Sequence, residues 1–184
     1  MLNSHSCYSL RYGMVDPEEL VQWGSGAGYE RIALTDINNT SGILNFIRYS
    51  KENGRIPVVG VDFRNGISCC YVVLAKNNAG FLEINEFLSK HTHDETPFPA
   101  AAPRFDNCLV IYPWGTEPEQ LQANEFTGVA AHQLNRFRMN PSRDSGKYVA
   151  LSPMTFRNKR DFNTHRLLRA IDCNVLLSKQ HVAR

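Results

Sequence analysis

Short runs of β-branched and apolar residues alternate with helical patterns along most of the chain. This alternation constrains its fold more than any other feature. Asp16-Pro17-Glu18-Glu19 opens the first helix: Asp16 suits the N-cap, Pro17 the first turn, and Glu19 completes a capping box. Gly28 is its expected stop. Residues 31–35 read as a short buried strand ending at Asp36. Residues 41–53 read as a helix with Ile43, Leu44 and Ile47 on one face and Gly54 beyond its end. Two further strands are expected over 56–63 and 70–75, separated by the turn signal Arg64-Asn65-Gly66. A helix over 79–90 carries Phe81, Ile84 and Leu88 at helical spacing, and the Pro- and Ala-rich residues 91–103 read as a loop. Residues 107–112 form another strand, with weaker strands at 126–130 and 148–151 and a polar loop over 141–146. The last helix runs from 161 to about 173, with Leu167, Leu168 and Ile171 expected to face inward. Strands and helices in this order predict an α/β fold with a largely parallel sheet. The pattern alone does not separate an open sheet from a barrel.

With 184 residues, 42% hydrophobic and 21% charged, the chain is expected to form a single folded domain over 1–184 with its own core. Its longest apolar run, residues 69–75, is too short to span a bilayer, so no membrane partner is expected. The opening residues MLNSHSCYS lack the basic and apolar regions of a signal peptide. Five cysteines without a framework spacing suit reduced thiols, and the expected location is cytoplasmic. Charge is uneven. Residues 1–135 hold 9 basic and 15 acidic side chains, and residues 136–184 hold 11 basic and 3 acidic. Such a basic end suits either nucleic acid or an acidic partner, against the plainer reading of a solvated helix face.

Several motifs fail on inspection. No phosphate-binding GxxxxGK[ST] loop is present, and Gly24-Ser25-Gly26-Ala27-Gly28 follows a helix where a dinucleotide fingerprint needs a strand. His91-Thr92-His93-Asp94 resembles a metal cluster but reads as a surface loop, His165 as a helix-face residue, and Cys69-Cys70 as packing. Asp36 and Asp62 are more informative, because each follows an apolar strand. Residues past strand C-termini line the functional crevice of parallel α/β folds. With His5 near a possible first strand, they are candidates for hard or borderline metals.

Asn3-Ser-His-Ser-Cys-Tyr-Ser-Leu-Arg-Tyr-Gly13 resembles the opening motif of the polymerase and histidinol phosphatase (PHP) family, which begins the alpha subunit of bacterial DNA polymerase III. Ala33-Leu-Thr-Asp-Ile-Asn-Asn-Thr-Ser-Gly42 resembles its second motif and Pro57-Val-Val-Gly-Val-Asp62 its third. Residues 73–81 are similar to the segment that follows, and residues 163–171 to the closing helix. The variants Thr35-Asp-Ile-Asn-Asn39 and 167–177 look like the Bacteroidetes-type branch, and the region of about 114–146 looks shorter than usual. The resemblance implies a distorted (βα)7 barrel. In its active members, His, Asp and Glu ligands at the strand ends hold metals for phosphoester hydrolysis, which in the polymerase looks like a 3′-5′ exonuclease.

Set against that pattern, the ligand positions are depleted. The first histidine of the opening motif is Asn3 and the second is His5; the acidic residue before its glycine is Tyr12. Ile37 follows Asp36 where a histidine is usual, Asp62 replaces a glutamate, and Cys70 falls at or near a further histidine. The late Asp-x-His pair aligns with Pro153 and Thr155. The resemblance therefore implies a vestigial pocket with no catalytic residue and no metal; the alternative is a phosphoesterase holding Mn or Zn through His5, Asp62 and Cys70. Partners expected on the same ground are the remaining polymerase domains or subunits and the proofreading exonuclease subunit. DNA or a partner is expected along Arg157, Lys159, Arg160, Arg166 and Arg169.

Overall fold

A computed structural model describes residues 2–139 and 146–179. Helix α1 (Pro17–Gly26) begins as expected: Asp16 accepts the Glu18 amide at 2.9 Å and Glu19 reaches back to the Asp16 amide. It ends in a Schellman turn, with Gly28 at φ +80° and the Tyr29 amide bonded to the Gly24 carbonyl. Strand β1 (Arg31–Leu34), helix α2 (Ile43–Glu52), and strands β2 (Ile56–Asn65) and β3 (Ser68–Ala75) follow. Helix α3 (Asn78–His93) runs past its expected end, so residues 91–93 are its last turn and not a loop. The His91 ring packs at 4.6 Å from Phe87 and 5.1 Å from Phe98, which extends the apolar face by one turn. Strands β4 (Cys108–Pro113), β5 (Glu125–Val129) and β6 (Tyr148–Ala150) complete the sheet. A 3-10 turn (Ala131–Gln133) and the short helix α4 (Leu134–Arg138) were not expected. Except for Gly146, the polar loop expected over 141–146 lies outside the described residues. Among the described residues, no helix is long and apolar enough to cross a membrane.

The six strands form one sheet in the order β1-β2-β3-β4-β5-β6. The pairs β1–β2, β4–β5 and β5–β6 are parallel, while β3 runs against both neighbours. The turn at Gly66 (φ +61°) causes the reversal, because so short a connection joins only antiparallel strands. The expected largely parallel sheet therefore carries one reversed strand.

The edges of the sheet are joined by the N-terminal segment. The Thr35 amide bonds to the Ser4 carbonyl at 2.9 Å, tying the segment to the end of β1. On its other side Ser4 bridges Met154, with the His5 amide on the Met154 carbonyl and the Met154 amide on the Asn3 carbonyl. Residues 3–6 thus act as a seventh stave, giving the mixed α/β barrel that the resemblance implies.

Side chains alternate across this ring. Ala33, Val72, Leu74 and Ile111 form the interior with Leu151. Ile32 and Leu34 point outward beneath α1 and α2, packed with Leu20 and Phe46. Val61, Phe63, Val73 and Val110 point outward beneath α3. Each fully buried side chain of this size contributes about 1.5–3 kcal/mol.

The last helix, α5 (Lys159–Asp172), starts on Asn158, which accepts the Asp161 amide, and ends in a second Schellman turn at Asn174 (φ +50°). Its orientation corrects the expected one for Leu167 and Ile171, while Leu168 is half-buried. Leu167 and Ile171 are 49% and 59% exposed, while Asp161 and Ala170 are buried. Polar anchors choose the docked face: Arg157 pairs with Glu19 at 3.1 Å and Asp161 at 2.8 Å, and His165 donates from Nδ1 to the Tyr12 carbonyl at 2.7 Å.

Candidate functional site

The strand ends bring the candidate residues together in two separate groups. Asp36, just past β1, is buried and faces the N-terminal loop. It accepts three hydrogen bonds at 2.7 Å, from the Ser6 amide, the Ser6 hydroxyl and the Ser9 hydroxyl. The same Ser9 hydroxyl accepts the Ile37 amide at 3.0 Å. Asp36 therefore holds the opening loop against β1, with both of its carboxylate oxygens engaged. Asn3 is buried beside it and accepts the Thr35 hydroxyl at 2.8 Å.

The second group centres on Asp62, which lies near the C-terminal end of β2 with no exposure to water. Its Oδ2 lies 3.0 Å from His5 Nε2 and 2.7 Å from Arg64 Nη2, and its Oδ1 lies 2.9 Å from Arg64 Nε. The Arg64 side chain is only 11% exposed. Burial pushes the Asp62 carboxyl upward, but the hydrogen bonds from His5 and Arg64 outweigh it and hold the group well below the usual carboxylate range. Arg64 is likewise disfavoured by burial and held charged by Asp62. An ionised carboxylate only accepts, so His5 Nε2 carries a proton; the other ring nitrogen lies 3.0 Å from the buried Thr155 hydroxyl.

Tyr12 covers this network. Its ring meets His5 edge-on at 5.2 Å and His165 at 4.7 Å, and the guanidinium carbons of Arg64 and Arg169 lie 4.8 and 5.4 Å from its centroid. Pro153 is exposed and lies outside the network. The thiol beside Asp62 belongs to Cys69, which burial and the carboxylate push upward; Cys70 packs instead against the outer Phe63 and Tyr71 cluster. This corrects the grouping of His5, Asp62 and Cys70.

A metal ion fits this arrangement poorly. Both ring nitrogens of His5 are engaged, both Asp62 oxygens face a guanidinium, and Ile37 has no donor atom. Among the described residues, no group of three or more His, Cys, Asp or Glu is placed to hold a metal, and His91 and His93 form none either. The expected basic contacts are also partly used. Arg157 is paired with Glu19 and Asp161, and Arg169 with Asp172 at 2.6 Å. Lys159 and Arg160 are exposed, and Arg166 is half-buried.

The profile of the PHP domain matches residues 2–132. The chain belongs to the PHP domain family. It is 30% identical over 118 residues to the DNA polymerase III subunit alpha of Escherichia coli (strain K12), which covers 60% of this chain and 10% of that protein. It is 39% identical over 67 residues to an error-prone DNA polymerase of Nocardia farcinica, covering 36% of this chain and 6% of that protein. The matched part of the chain thus spans a tenth or less of the length of these polymerase relatives. Among solved structures, an amidohydrolase from Chromobacterium violaceum matches with a TM-score of 0.40 and 12% identity, over 95% of this chain and 83% of that one.

Arg64 is the site residue that sequence reasoning missed. The sequence pattern places it in a turn signal, Arg64-Asn65-Gly66. Residues two apart on a strand share a face, and a cation two positions after a buried strand carboxylate was the available signal.

Proposed function

We propose that this PHP domain acts as a structural and interaction module of a replicative DNA polymerase III alpha subunit and carries no metal-dependent phosphoesterase chemistry of its own. The parent activity would be template-directed DNA synthesis, performed by other parts of such a subunit in the cytoplasm. The observation that carries the reading is the bidentate Arg64–Asp62 pair, sealed by His5, Thr155 and Tyr12. A guanidinium there supplies the positive charge that a buried carboxylate requires, and it occupies both carboxylate oxygens on the side a cation would approach. The polymerase relatives support the setting, since the matched part of this domain corresponds to only a tenth or less of their length. The partners in that setting are the other polymerase domains or subunits, the proofreading exonuclease subunit, and DNA reached through exposed basic residues.

The test is elemental analysis of chain purified without chelators, with an exonuclease assay in added Mn or Zn. The expected result is neither stoichiometric metal nor hydrolysis. Stoichiometric metal together with hydrolysis abolished by His5→Ala would overturn the reading in favour of a phosphoesterase with a reduced ligand set.

A further inference from the structure

The outer side of α5 is apolar, unpaired and edged with cations. Leu167 and Ile171 lie one helical turn apart, 49% and 59% exposed, and Leu176, just past the Schellman turn, is 66% exposed. A helix in contact with its own domain buries such a stripe. Here the stripe points away because Tyr12, Glu19 and the N-terminal loop hold the opposite face. Helical spacing places Arg160 at the head of the same face, seven residues before Leu167. It places Lys159 and Arg166, also seven apart, along one margin. Among the described residues, these three cations enter none of the ion pairs that tie down Arg157 and Arg169. The Arg166 Nε is also shielded from water without a hydrogen-bond partner.

We infer that this face docks an amphipathic helix of a partner polypeptide, with leucine-type anchors against Leu167, Ile171 and Leu176 and acidic side chains against Lys159, Arg160 and Arg166. The charge of the rim selects the partner. A basic helix would meet three like charges, whereas an acidic one relieves them and excludes water from the apolar stripe. A narrow stripe along a convex helix suits helix packing, in which side-chain ridges of one helix enter the grooves of another. An anionic membrane is the less suitable occupant, because the face has no Trp or Tyr to sit at a headgroup boundary. The inference rests on the reading of this domain as an interaction module and gives that module a surface and a partner chemistry.

The test uses the full chain and three probes: a labelled 18-residue helical peptide of Leu and Glu in an amphipathic pattern, the same pattern with Lys for Glu, and phosphatidylcholine–phosphatidylglycerol vesicles. The expected result is saturable binding of the Leu/Glu peptide that weakens with salt and is at least about tenfold weaker in Leu167→Ser/Ile171→Ser. Arg160→Glu should weaken the same binding and flatten its salt dependence. All three substitutions are on exposed positions, and an unchanged circular dichroism melt identifies a folded variant. Equal binding of both peptides, binding indifferent to Leu167→Ser/Ile171→Ser, or preference for the vesicles would each overturn the inference. If the peptide does not bind while the chain is free of metal and hydrolysis, this inference alone fails. Metal-dependent hydrolysis would instead defeat the underlying reading, whatever the peptides do.

Discussion

Replacing Arg64 with glutamine removes the cation facing a carboxylate that has no contact with water. Breaking a buried pair from one side costs about 3–5 kcal/mol, since the remaining charge is left uncompensated. For a domain of this size each kcal/mol moves Tm by about 2–4 °C, so Arg64→Gln should melt roughly 6–20 °C below the parent at pH 7. The pH dependence gives a second signature. In the parent, the folded-state pKa of Asp62 lies below its unfolded value because His5 and Arg64 outweigh burial. That contribution is full above about pH 4 and is lost only as pH falls through the folded value. Without the guanidinium, burial pushes the carboxyl upward, and the folded variant takes up a proton before the unfolded chain does. The deficit of Arg64→Gln should therefore shrink as pH falls from 7 toward 4.5. Asp62→Asn/Arg64→Gln, which carries no buried charge at this point, should be more stable at pH 7 than Arg64→Gln alone. Urea melts of the three proteins at pH 7, 5.5 and 4.5 measure all of this. A deficit under about 1 kcal/mol with the parent's pH profile would refute the account.

Other substitutions test neighbouring features. A Cβ at Gly60 would lie 2.2 Å from the Val73 carbonyl oxygen, so Gly60→Ala should cost about 1–3 kcal/mol in a urea melt through displaced β2–β3 pairing. Burial, with Arg169 and Arg64 nearby, pulls His165 below the ordinary histidine range against the pull of its bond to the Tyr12 carbonyl. Its contribution is thus full above about pH 6.5 and is lost as pH falls, so His165→Gln should flatten the stability profile between pH 7 and 5. Cys173 is exposed and should react first with an aromatic disulfide reagent; Cys7 is exposed too, but burial and the nearby Asp16 and Asp36 push its thiol up, so it should follow, while Cys69 and Cys108, both pushed upward by burial, should react only on unfolding.

The elements were legible where local chemistry decides them. The Asp16–Glu19 capping box and Gly28 define α1 without tertiary help, and the Arg64-Asn65-Gly66 turn signal already contained the reversal of β3. The closing of the ring was not legible, because the segment over residues 3–6 has no hydrophobic period and owes its extended form to partners at Thr35 and Met154. The inward face of α5 was misread for a related reason. Periodicity marks an apolar stripe but not the side on which the rest of the protein lies, and here the contacts of Arg157 and His165 decide that side. In the site, His5, Asp62 and Thr155 were singled out by position, and the structure brings those three together. Their mutual bonding depends on Arg64, whose partner is its neighbour two residues away but whose burial comes from Tyr12, far earlier in the chain.

The seventh stave also sets a schedule for folding during synthesis. Its first neighbour, β1, is made soon after it, but the contact that seals the ring, His5 with Thr155, spans 150 residues. At about 5–20 residues per second, a ribosome takes roughly 8–30 s to supply that second partner. Until then, whatever strands have been made form a sheet with two open edges, each able to pair with a neighbouring nascent chain. Loop closure over such a distance is slow as well as late. The step that completes the barrel is therefore the last one available to it, and ribosome stalling before residue 155 leaves a chain with both edges unpaired.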